Sequence, residues 1–183
     1  AASIWMATRL RVFGPDRAIR AIVIVAVLVR TAYSFANVIA GPLVGLELDA
    51  VAFHDEAVRF AGGGGISVGI VNGWVYSAFI GSLYRFTGGG LLLGQQMSVV
   101  AVVFAAASAI RIMRRLQVPR RSMLLALTVL LFLPAGIVNT SGTLREAFQQ
   151  LFFLLTIEGS LRVLERPNVR NFVAVGATTL LGG

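Results

Sequence analysis

The sequence predicts an all-α protein, a polytopic bundle of transmembrane helices, on three observations. Hydrophobic residues make up 57% of its 183 positions and charged residues 13%. The mean hydropathy is +0.83, too high for a soluble domain, which needs more polar surface to cover a core of this size. Apolar runs of roughly 20 residues recur, the length that crosses a hydrocarbon core of about 30 Å.

The elements follow in order. A basic leader with Arg9, Arg11, Arg17 and Arg20, broken by Pro15, precedes a first span over residues 18–40, with Arg30 near its middle. A polar interval over 45–65 ends in four glycines. Residues 66–86 are weakly apolar and rich in Gly, Ser and aromatics, and Gly88–Gly90 follow. Strong spans are predicted at 91–110, 122–137 and 144–164, and another begins near 171. The run over 21–40 is too long for a signal-peptide core. The sequence opens on Ala-Ala-Ser without Met and stops inside an apolar run, so it is expected to be the N-terminal part of a longer protein. Residues 1–183 read as one transmembrane domain, with 45–90 an extracytoplasmic loop carrying juxtamembrane helices.

All 16 cations are arginine, giving a net charge of +8. They gather at the ends of apolar runs, which fits orientation in a bilayer and excludes nucleic acid as a partner. The leader, the 111–121 loop (Arg111, Arg114, Arg115, Arg120, Arg121) and the 162–170 loop (Arg162, Arg166, Arg170) should all be cytoplasmic. Residues 66–86 must then stay outside, lying along the interface or dipping in, anchored by Trp74, Tyr76 and Tyr84. The expected location is the inner (plasma) membrane, multi-pass, with the N-terminus in the cytoplasm. There is no cysteine, so no disulfide or thiolate site exists.

Half of the eight acidic residues, Glu47, Asp49, Asp55 and Glu56, stand together beside the first span with the single histidine, His54. On a helix Asp49, Phe53 and Glu56 share a face, with His54 and Asp55 at its sides. A carboxylate aimed between spans can act as general base or hold a hard cation, Mg or Mn, with Asp49 and Asp55 the candidate ligands. The alternative is a solvated loop whose Asp49 caps a helix. One histidine without cysteine leaves too few ligands for zinc.

Arg30 at mid-span is costly and should pair inside the bundle, either with a substrate phosphate or carboxylate or with a structural partner. Pro134 should break its span. Thr140, Ser141 and Thr143 offer caps for the next helix, and Thr143 with Glu146 matches a capping box. Arg145 is a cation on the disfavoured side, suited to a carboxylate or a pyrophosphate. Gln96, with Gln95, enters its span placed to line a substrate cavity or to bond between helices. The glycine runs lack a phosphate-loop pattern and read as loops or hinges.

The order of these pieces resembles the N-terminal half of the GT-C superfamily of membrane glycosyltransferases, which use polyprenyl-phosphate sugars. The resemblance is carried by Asp49-Ala-Val-Ala-Phe-His54-Asp-Glu-Ala57, by Tyr76 followed by Gly81-Ser-Leu-Tyr84-Arg-Phe-Thr-Gly88, by Gln95-Gln96, by Arg111 to Arg115, and by Pro134, Ser141, Arg145 and Glu146. It covers about residues 18–165, and some bacterial polysaccharide-assembly membrane proteins share these elements. The resemblance implies transfer of a sugar from a lipid-linked donor to a glycan, lipid or protein on the outer face. Asp49 matches the first-loop acid, with Asp55 and Glu56 as rivals, and Phe53 stands where Tyr is common. His54, Glu56, Arg145, Glu146, Gln96 and Arg30 would then contact substrate or phosphate, or position the base. The competing class is a transporter or flippase for a lipid-linked or anionic substrate, and a polysaccharide polymerase or ligase is chemically close to the transferase.

Overall fold

The computed structural model describes residues 11–14, 16–41, 49–65, 74–142 and 145–182, apart from the side chains of Arg11, Asp49 and Trp74. Among the described residues every regular element is helical and no strand occurs. After a 3-10 turn at Arg11–Phe13 come α1 (Arg17–Ala40), α2 (Asp49–Ala61), α3 (Trp74–Thr87) and α4 (Leu91–Arg115). They are followed by α5 (Arg120–Phe132), α6 (Pro134–Ser141), α7 (Glu146–Glu165) and α8 (Val169–Gly182).

Helix α1 starts where Asp16 accepts from the Ala18 and Ile19 amides, satisfying two of the donors that a helix start leaves open. Its buried face, Ile19, Val23, Ala26 and Val27, meets α4 and α5 through Val99, Val102, Val103, Ala106, Ile110, Met123, Leu127 and Leu131. The small residues of α4 let these backbones approach closely. A second core joins α2 to α3 through Phe53, Ala57, Tyr76, Ile80 and Tyr84. Gly81 makes that pairing possible, because a Cβ there would stand 2.6 Å from the Ala57 carbonyl oxygen.

Among the described residues two helices, α1 and α4, are long and apolar enough to cross a membrane, and α5 with α6 makes a third if that pair, bent by 55°, is one span. The sequence reading expected about five. Helix α7 has 20 residues, but Gln149, Gln150, Glu158 and Arg162 dilute its apolar character. Helix α8 has 14 described residues. The described part of helix α3 is equally short.

Pro134 does break its segment. It takes the first position of α6, where its missing N–H costs nothing, and α5 stops at Phe132. The capping box expected of Thr143 with Glu146 falls on Thr143, which lies outside the described residues; the described part of helix α7 opens at Glu146 with Arg145 before it. One expectation nearby needs correction. Thr140 and Ser141 end α6 and donate to the Gly136 and Ile137 carbonyls rather than capping α7. The first glycine run also has a definite task. The Gly62, Gly63 and Gly64 amides close the end of α2 on the Val58, Phe60 and Arg59 carbonyls, with Gly63 at φ +86.

The arginine clusters share one end of the bundle. Arg114 donates to the Val12 carbonyl (2.6 Å), Arg120 pairs with Asp16 (2.7 Å), Arg111 with Glu158 (2.8 Å) and Arg115 with Glu165 (2.7 Å). That end was expected to hold arginines and little else. Three acids stand there too, because guanidinium groups packed side by side need counter-charges. Glu158 is 2% exposed and takes Arg111, Arg162 and the Ser108 hydroxyl at once.

Candidate functional site

The opposite end carries α2, α3, α6 and the start of α7. Helix α3 places Tyr76, Ile80 and Tyr84 on one buried face by spacings of four. Tyr76 is the hub, with its ring 5.5 Å from Phe53 of α2 and 5.4 Å from Phe148 of α7. Both tyrosines were expected to anchor a helix at the membrane interface. They instead pack inward, because α2 offers them an apolar face. Trp74, the third expected anchor, has its side chain outside the described residues.

The candidate residues of α2 divide by helical face. Phe53 and Glu56 turn inward as the spacing predicts, and Asp55 is exposed. Glu56 pairs with Arg59 on its own helix. The half-buried His54 shares a hydrogen bond with the Tyr84 hydroxyl through Nδ1 at 3.2 Å. Burial pushes its pKa down, and the Asp55 carboxylate opposes that, so the ring is neutral near pH 7. A neutral imidazole bonded through one nitrogen keeps the other for a substrate proton. Asp49 opens α2 one turn before Phe53, and its carboxylate lies outside the described residues.

Arg145 and Glu146 begin α7 at this same end. Glu146 is close enough to Tyr76 to act on its hydroxyl electrostatically, and Ser98 of α4 lies beside that hydroxyl. Gln95 precedes Ser98 by one turn, and both are fully buried. Both ends of the Gln95 amide, Gln96 Nε2 and Glu146 Oε2 are buried without a hydrogen-bond partner, and the buried Tyr76 and Ser98 hydroxyls have at most each other. Such atoms are rare in folded proteins. The sequence reading singled out Gln96 and Glu146 but passed over Ser98, since a serine inside an apolar run carries no signal until its neighbours are known.

His54 meets Tyr84, and Glu146 lies near Tyr76. Eight residues of α3 separate those tyrosines, about 12 Å along its axis. The structure thus brings the first-loop helix and the start of α7 to one end as two adjoining groups. Among the described residues no three His, Asp or Glu side chains gather as a metal site would require. The Asp49 carboxylate is not covered by that statement.

Arg30 belongs to neither group. It is 1% exposed, and its Nε donates to Thr140 Oγ1 (2.8 Å) while Nη1 donates to the Leu131 (2.8 Å) and Ala26 (3.3 Å) carbonyls. The break at Leu133 strips the last carbonyls of α5 of helical donors, and a cation there also meets the negative end of the helix dipole. Ser34, one turn on, donates to the Ser141 carbonyl (2.9 Å). These bonds make Arg30 a clamp on the broken helix. No protein-family model, curated protein or solved structure matches this chain.

Proposed function

We propose that this protein is a membrane glycosyltransferase, moving a sugar from a polyprenyl-phosphate-linked donor to an envelope glycan, lipid or protein acceptor on the extracytoplasmic face. The observation that carries the reading is the gathering of α2, with its acids and neutral His54, and the Arg145–Glu146 start of α7 at the bundle end away from the arginine clusters. A lipid-linked substrate needs such polar chemistry beside helices long enough for a membrane, and both occur here. In the proposed reaction Asp49 takes the acceptor hydroxyl proton as the oxygen bonds to the anomeric carbon. The bond from that carbon to phosphate breaks, and the phosphate leaves with the electron pair. Arg145 stabilises the leaving charge; in the alternative role for Asp49, its carboxylate would hold a cation (Mg or Mn) that would supply the same stabilisation.

A second reading, a transporter or flippase, draws on the 55° break between α5 and α6, since broken helices line transport sites. Arg30 weakens it by occupying the carbonyl that the break exposes. A polymerase or ligase would use the same chemistry with a longer acceptor. The deciding experiment is Asp49→Asn in the full-length protein, in lipid nanodiscs with polyprenyl-phosphate sugars. Turnover should fall by about a hundred-fold or more, with folding and donor binding retained. Transfer by the variant at the wild-type rate would remove Asp49 as the base, and no transfer by the wild-type protein from any of these donors would refute the assignment.

A further inference from the structure

We infer that Tyr76, Gln95, Ser98 and Glu146 form a binding site for the uncharged, hydroxyl-bearing part of a substrate, a sugar ring. The inference rests on reading the protein as one that handles a glycosyl group. Among the described residues, the buried side-chain atoms with no hydrogen-bond partner, or with only each other as the Tyr76 and Ser98 hydroxyls have, all belong to Tyr76, Ser77, Gln95, Gln96, Ser98 and Glu146. They are not scattered. They sit on α3, α4 and the first residue of α7, the helices that meet around the Tyr76 ring. Polar atoms buried and left unpaired are destabilising, so a concentration of them asks for a partner that arrives from outside.

Their chemistry identifies the partner. The Gln95 amide and the two hydroxyls each both donate and accept, as sugar hydroxyls do, while Glu146 accepts. The Glu146 carboxylate repels phosphate, so the anionic part of a donor belongs elsewhere. Phe53, Tyr76 and Phe148 give the cluster an aromatic wall, suited to the C–H face of a pyranose. A few placed polar groups in an apolar and aromatic surround are the usual makeup of a small-molecule site.

The test uses the full chain in nanodiscs with decyl glycosides of glucose, galactose, mannose and N-acetylglucosamine, against decanol and decyl phosphate. At least one glycoside should bind more tightly than decanol by about ten-fold. Gln95→Leu and Tyr76→Phe should each weaken that glycoside by about ten-fold and leave decyl phosphate unchanged. Both variants should also raise the ligand-free Tm by about 2–4 °C, because each removes unpaired polar atoms from the resting protein. A purely structural polar cluster would do the reverse, so a fall in Tm in both variants overturns the inference. Glycosides binding no better than decanol, or equally well to the variants, overturn it too. Transfer assays of Asp49→Asn and the wild type separate the two readings. If the variant transfers normally, Asp49 is not the base; if the wild-type protein transfers no sugar from any polyprenyl-phosphate donor while a glycoside still binds and Gln95→Leu loses it, glycosyl transfer fails and the sugar site stands.

Discussion

Arg30, singled out in the sequence for its charge at mid-span, is held in the structure by Thr140 and the Leu131 carbonyl. Its depth in an apolar run predicted a buried partner, and that was legible. The partner's identity was not, because Leu131 and Thr140 lie more than a hundred positions away and offer a carbonyl and a hydroxyl rather than a charge. Arg30→Met should destabilise the protein by about 2 kcal/mol, the loss of charge-assisted bonds to groups left buried, read by thermal or detergent unfolding. Arg30→Lys should recover only part, since an ammonium lacks the fork that reaches both Leu131 and Thr140. If Arg30→Lys kept full stability and lost donor binding, a phosphate role would follow.

His54 carries a prediction in pH. Its folded-state pKa lies below the ordinary 6.5, so the unfolded chain binds the extra proton first. The stabilisation is whole above about pH 6.5 and is lost as pH falls through the folded value. Wild-type Tm should therefore drop on acidification below pH 6.5, beyond the drop seen in His54→Gln. Parallel Tm profiles for the two proteins would show that the imidazole is not held neutral by burial.

At the scale of elements, the helical stretches were legible from apolar periodicity, and Pro134 correctly marked the break. The inward turn of Tyr76 and Tyr84 was not, because an aromatic with a polar tip suits a membrane interface and a helix–helix seam equally. What decides between them is Gly81, whose missing side chain admits the Ala57 carbonyl. Gly81→Ala should force α2 and α3 apart and cost about 1–3 kcal/mol. It should also raise the exposure of Tyr84 and loosen the His54 bond, visible as a His54 Tm profile shifted toward that of His54→Gln. An unchanged Tm would mean that the two helices do not pack through this glycine. Glu158 is a comparable feature of α4 and α7 that sequence reasoning missed. Its signal was an acid stranded in an apolar run with Arg162 four residues on, the spacing of a helical ion pair.

For the whole molecule, the clustering of arginines is the feature that ties sequence to architecture. Three stretches far apart in sequence meet at one end through Arg114 to Val12, Arg120 to Asp16 and Arg115 to Glu165. The Arg120 guanidinium and the Ala18 and Ile19 amides hold the Asp16 carboxyl down at about 2, so this junction keeps its charges through any physiological pH. Because Lys and Arg are retained in the cytoplasm during insertion, this end should face inward and the α2–α3 end outward. The absence of cysteine from these 183 residues makes that testable by single thiols placed within them. Leu116→Cys, exposed beside the arginines, and Gly65→Cys, with open space around its Cβ, place one thiol at each end. In intact cells a membrane-impermeant maleimide should label the cysteine at 65 and spare the one at 116, with the pattern equalising after permeabilisation. The reverse pattern would put the acid-bearing helix and the Tyr76 cluster in the cytoplasm, beyond the reach of an acceptor on the outer face. It would remove the extracytoplasmic transferase reading while leaving the packing of the bundle untouched.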